Sequence, residues 1–136
     1  MDLMARRRML MTQNRQEIIG YEENKGFTSN GNSSTIENLS GFFITGFIPL
    51  GSTTKILAKY SSNNYSNNKQ KFICEYNGSK TYNSNGYWAM TVQNERTVAV
   101  YTQSAEYIRF CGRLDSIDEC FVKDADTGVV LWKKGM

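Results

Sequence analysis

From Glu17 onward, no stretch of this chain repeats its apolar residues at a helical spacing. Short runs of Tyr, Phe, Ile, Val and Thr alternate instead with clusters of Asn, Gly and Ser. Aromatic and β-branched residues suit a pleated, half-buried surface, and the small polar residues between them suit turns. Strands are expected near 17–22, 42–48, 54–60, 71–76, 87–93, 97–102, 106–111, 119–123 and 129–133. The breaks carry turn chemistry at Ser29-Asn30-Gly31-Asn32, 61–68, Asn77-Gly78-Ser79, Asn83-Ser84-Asn85-Gly86, Gln93-Asn94-Glu95 and 124–128. The pattern predicts an all-β fold, an antiparallel β-sandwich of jelly-roll type over 17–136. A chain of 136 residues is the size of one such domain.

Residues 1–16 differ in texture. The run DLMARRRMLMTQ at 2–13 consists largely of helix formers. Leu3, Met4, Leu10 and Met11 recur seven apart and share a face, with Arg7 interrupting it. A short N-terminal α-helix is expected here. Alone it is marginal, since an isolated helix needs about 12–15 residues even from good formers. It therefore needs a neighbour or copies of itself, so these four residues are the expected oligomerisation face.

Alternation assigns faces in the strands. Trp88, Met90 and Val92 fall on one side, which is expected to be core, and Tyr87 on the other, expected to be wet. Phe72, Cys74 and Tyr76 oppose Lys71, Ile73 and Glu75. Ile56, Ala58 and Tyr60 oppose Lys55, Leu57 and Lys59. Ile108 and Phe110 oppose Tyr107, Arg109 and Cys111. In so apolar a strand, Arg109 is expected to meet a carboxylate or to carry its head out to water.

Composition excludes several kinds of chemistry. There is no histidine, so neither a Ser-His-Asp nor a Cys-His site can be built, and no His-ligated metal. The net charge of +3 sits at the two ends, with Arg6, Arg7 and Arg8 against Asp2 at one and Lys133 and Lys134 at the other, leaving a body close to neutral. No clustered Lys and Arg track a phosphate backbone, so no nucleic-acid partner is expected. Cys74, Cys111 and Cys120 are odd in number, lack a CxxC spacing and sit in apolar runs. Buried reduced thiols are expected, and neither a disulfide framework nor a zinc site. No run reaches the length of a membrane helix, and no apolar signal region opens the chain, so synthesis in the cytoplasm without a signal peptide is expected. The Asn-x-Ser sequons at Asn32, Asn38, Asn64 and Asn77 then carry no meaning for glycosylation.

Three constellations invite a chemical reading. Asp124-Ala125-Asp126-Thr127-Gly128 resembles the start of a calcium loop, but the glycine stands fifth rather than sixth and no Glu closes the site. A hairpin turn explains the same residues, and no metal or other cofactor is expected. Glu75, Glu106 and Asp118 are carboxylates, yet no spacing selects a catalytic pair, and no enzyme is expected. The Asn- and Tyr-rich segments 60–68 and 77–88 offer flat rings and amides, which suit sugar faces and sugar hydroxyls. Tyr65, Tyr82 and Tyr87 are the candidate stacking residues, and Asn64, Asn83 and Asn85 the orienting ones.

Two segments resemble a known group. The opening LMARRRMLM is similar to the N-terminus of small tail-associated proteins encoded by prophages of Gram-positive, gut-type bacteria. The order from Ser29-Asn30-Gly31 through Phe47-Ile48-Pro49-Leu50, Ile56–Tyr60, Thr97–Tyr101 and Ala105–Phe110 to the closing Lys123–Trp132 resembles the β-sandwich module of such proteins. The resemblance implies a non-catalytic, carbohydrate-binding-like module on a phage tail that grips a cell-surface glycan. The alternative is a purely structural virion part without a sugar ligand, and a glycoside-active enzyme ranks a distant third. Analogy with tail proteins also implies a homo-oligomer, a trimer, with other tail proteins as partners, while the lack of a membrane-length apolar run leaves no membrane partner expected.

Overall fold

A computed structural model describes residues 18–63 and 69–136. The expected helix, with Leu3, Met4, Leu10 and Met11, lies outside the described residues, as do Asn64 and Tyr65. Ten strands follow one another: β1 (Tyr21–Phe27), β2 (Ile36–Thr45), β3 (Ile48–Pro49), β4 (Lys55–Lys59), β5 (Lys71–Tyr76), β6 (Tyr82–Ala89), β7 (Glu95–Ala99), β8 (Tyr107–Arg113), β9 (Phe121–Asp124) and β10 (Val130–Trp132). A 3₁₀-helix, Leu114–Glu119, joins β8 to β9. The strands form two antiparallel sheets. One runs β1-β2-β8-β5-β6, with β3 also paired to β8, and the other runs β10-β9-β4-β7.

Aromatic side chains join the sheets. The indole of Trp132 stacks on Phe43 at 5.6 Å and lies 5.8 Å from Phe110, while Tyr60 meets Phe72 at 4.9 Å. Large rings bury much apolar area each, so a few of them dominate such a core. Two indole N–H groups tie the sheets at opposite edges. Trp88 of β6 donates to the Ala99 carbonyl of β7 at 3.1 Å. Trp132 of β10 donates to the Ile19 carbonyl, just ahead of β1, at 2.9 Å. Ile56, Ala58, Tyr60, Ile108 and Phe110 are buried, in line with their alternation.

Several expectations need correction. The first strand covers 21–27 rather than 17–22, and the second begins at Ile36 rather than 42, since β1 and β2 pair along most of their length. Val92 is 62% exposed, because β6 ends at Ala89 before the core face reaches it. Trp88 and Tyr87 are both half-buried rather than one core and one wet. All six residues of β5 are buried. A bulge lies between the Lys71–Ala89 and Ile73–Trp88 pairs, where β5 advances two residues and β6 one, breaking strict alternation. Of the two alternatives expected for Arg109, the carboxylate is not found among the described residues, and the side chain is half-buried rather than enclosed. Its Nε donates to the Thr45 carbonyl at 2.9 Å, and its guanidinium stands 5.1 Å from the Phe47 ring centre.

Asn83-Ser84-Asn85-Gly86, expected as a turn, lies inside β6. Between the Cys74–Tyr87 and Tyr76–Tyr82 pairs, β5 advances by two residues and β6 by five. The surplus bulges out of an edge strand, with Asn85 in the left-handed region at φ 67°. Asparagine tolerates that conformation better than most side chains. Gly86 follows under close constraint: a Cβ there would stand 2.9 Å from the Asn83 carbonyl oxygen and 3.1 Å from Glu75 Cβ.

Candidate functional site

The β6 bulge is held from two sides. On one side is the loop between β1 and β2. Asn32 of this loop accepts the Tyr82 hydroxyl at 2.7 Å and the Asn85 backbone N–H at 2.6 Å, both on its Oδ1. On the other side is the segment after β7. Asn83 Nδ2 donates to Thr102 Oγ1 at 2.8 Å. Thr102 in turn donates its hydroxyl and its backbone N–H to Glu75 Oε1, each at 2.9 Å, and the Tyr101 N–H reaches Glu75 Oε2 at 2.7 Å. Glu75 is only 1% exposed. A buried carboxylate needs donors on both oxygens, and here the backbone supplies most of them.

Lys71, four residues earlier in β5 and also 1% exposed, anchors the opposite loop. Its Nζ donates to the carbonyls of Thr28, Asn30 and Ser33 at 3.1, 3.1 and 2.8 Å, and stands 4.9 Å from the centre of the Tyr87 ring. Burial pulls the Lys71 pKa below the ordinary lysine value. The three carbonyls and the ring face work against burial by favouring the charged form.

The candidate ligand residues therefore divide. Tyr82 and Asn83 have their polar tips engaged within the protein, and burial pushes the Tyr82 hydroxyl up to about 12. Asn85 uses its backbone N–H in the same network and carries an exposed side chain. Tyr87 has Lys71 over its ring. The structure brings these four to one edge, around the bulge. Tyr101, absent from the candidates, is the most exposed ring there, at 61%, and meets Trp88 edge-on at 6.3 Å. Lys71 and Asn32 are likewise absent from the candidates, and Glu75, considered only as a catalytic carboxylate, acts here as a buried anchor. A Lys and a Glu inside the apolar run Lys71-Phe72-Ile73-Cys74-Glu75-Tyr76 were the available signal, since buried charges are rare without built partners.

The carboxylates do not assemble. Glu75 is consumed by the 101–102 backbone, Glu106 lies against Gly78, and Asp118 pairs with Lys134 at 3.4 Å. Asp124 closes the β9–β10 hairpin: its Oδ1 accepts the N–H groups of Asp126 and Thr127 at 2.9 and 3.0 Å, and its Oδ2 accepts Thr53 Oγ1 at 2.8 Å. These bonds, that of Thr127 foremost, hold its pKa below the ordinary aspartate value. Gly128 takes φ 77°, completing the turn that the sequence predicts. The three cysteines are free and buried, and burial raises all three thiols, Cys111 and Cys120 to about 12. Among the described residues no helix is long and apolar enough to cross a membrane.

No protein-family model, no curated protein and no solved structure matches this chain significantly.

Proposed function

We propose that this protein is a non-catalytic binding module of a prophage tail, built as a jelly-roll-like β-sandwich, and that its ligand is a cell-surface glycan. The observation that carries the reading is Tyr101. An aromatic ring 61% exposed to water is mounted on a backbone fixed by the buried Glu75. Ordering a binding surface before the ligand arrives lowers the cost of binding. The ring's face offers a stacking platform for the C–H face of a sugar. The neighbouring β6 bulge supplies the exposed amide of Asn85, with Asn83 anchored beside it through Thr102. The phage-tail setting is supported by the sequence resemblance at 3–11 and 123–132.

A glycan array probed with the wild type and with Tyr101→Ala tests the reading. At least one glycan retained by the wild type and lost by the variant is the expected result. An array without hits points to the purely structural virion part instead.

A further inference from the structure

Lys71 is a buried cation with no carboxylate paired to it among the described residues. Its partners are three backbone carbonyls, those of Thr28, Asn30 and Ser33, all from the loop that joins β1 to β2. Carbonyl oxygens turned toward one point repel one another through their like partial charges, and a cation with N–H groups to donate relieves that repulsion best. An ammonium presents three N–H donors, one for each of the three carbonyls. The Tyr87 ring adds a further favourable contact for the charge. Within the loop, the bonds that close it are few: Thr28 N–H to the Thr35 carbonyl at 2.8 Å, Ser33 N–H to the Gly31 carbonyl at 3.1 Å, and short hydroxyl links at Thr28 and Ser33. Asn32 sits in the middle of the caged stretch and holds Tyr82 and Asn85.

We infer that the 28–35 loop is a cation-binding loop whose cation is the chain's own Lys71 ammonium, and that Lys71 is thereby the positioning residue for Asn32 and the β6 bulge. The charge, rather than the bulk of the side chain, sets the loop. Lys71→Met keeps an apolar stem and removes the donors, so it leaves three carbonyls facing an apolar group. Lys71→Ala empties the cage, which a small amine in solution can then refill. An arginine, planar and forked, does not reproduce the arrangement.

The test is amide hydrogen exchange on the full chain, followed at Asn85 and Thr28. Lys71→Met and Lys71→Ala are expected to speed both amides by about tenfold or more, as local opening replaces a held loop. Methylammonium chloride is expected to slow exchange again in Lys71→Ala but not in Lys71→Met. Tetramethylammonium chloride at equal ionic strength, which has no N–H to donate, is expected to do nothing. Wild-type exchange rates in Lys71→Met, or equal effects of the two ammonium salts on Lys71→Ala, overturn the inference. A wild-type measurement stands beside these should the variants fail to fold. The Lys71 ammonium protons are expected to give a resolved nitrogen-correlated NMR signal in slow exchange with water, and rapid exchange there overturns the inference by itself.

Discussion

The carboxylate of Glu75, inside β5, accepts the backbone N–H of Tyr101 at 2.7 Å. A buried charge in one sheet thus fixes an exposed ring 26 residues away in sequence, on the segment that leaves the other sheet. Glu75→Gln removes the charge and offers an N–H where an acceptor is needed. Hydrogen bonds to charged groups contribute about 1.5–3 kcal/mol each in net terms, so a loss of that order in urea-unfolding free energy is expected. Retention of wild-type stability contradicts the assigned role of the carboxylate.

Gly86 tests the bulge. A Cβ at this position meets the Asn83 carbonyl oxygen and Glu75 Cβ, both backbone or short-stem atoms that yield little. Overpacking of this kind costs about 1–3 kcal/mol, so Gly86→Ala is expected to lower the unfolding midpoint by a matching amount. The same substitution at Gly31, where no atom lies within 4 Å, is the natural comparison for pure backbone strain at φ 42°.

Alkaline pH is expected to unfold the protein from within. Cys111 and Cys120 hold their protons to about 12 against an ordinary value of 9.0, and Tyr76 and Tyr82 to about 12 against 10.0. Cys74 is raised in the same direction, and burial is the leading cause in all five. The unfolded chain gives up these protons first. The stability they contribute is therefore complete below pH 9.0 and falls as pH climbs toward 12. Lys71, lowered from 10.5, works in the opposite sense to these five. Urea midpoints measured across this range check the direction. A flat profile between the two values contradicts the burial of these groups.

Much of the fold was legible from local pattern. The runs at 54–60, 71–76 and 106–111 and the closing hairpin around Asp124 declared themselves, because alternation and turn chemistry are properties of neighbours in sequence. The β6 bulge did not. Asn83-Ser84-Asn85-Gly86 has the composition of a turn, and only Asn32 and Thr102, distant in sequence, hold it inside a strand. The burial of Lys71 was marked only by its place in an apolar run; its acceptors, backbone carbonyls that any residue supplies, leave no trace in the sequence. Of the candidate site, the edge was legible through Tyr82, Asn83, Asn85 and Tyr87. The exposed ring, Tyr101, was not, since nothing local marks the end of β7 as a platform.

Trp88 reports directly on glycan binding at Tyr101, because it meets that ring edge-on while Trp132 is only 1% exposed in the core. Tryptophan fluorescence is titrated with a glycan retained on the array, in the wild type, Trp132→Phe and Tyr101→Ala. A saturable change is predicted in the wild type and in Trp132→Phe. In Tyr101→Ala the affinity is predicted to fall at least about tenfold, as truncating an anchoring aromatic commonly costs ~2 kcal/mol or more. An unaltered affinity in Tyr101→Ala, with thermal stability equal to the wild type, rules out Tyr101 as the glycan platform.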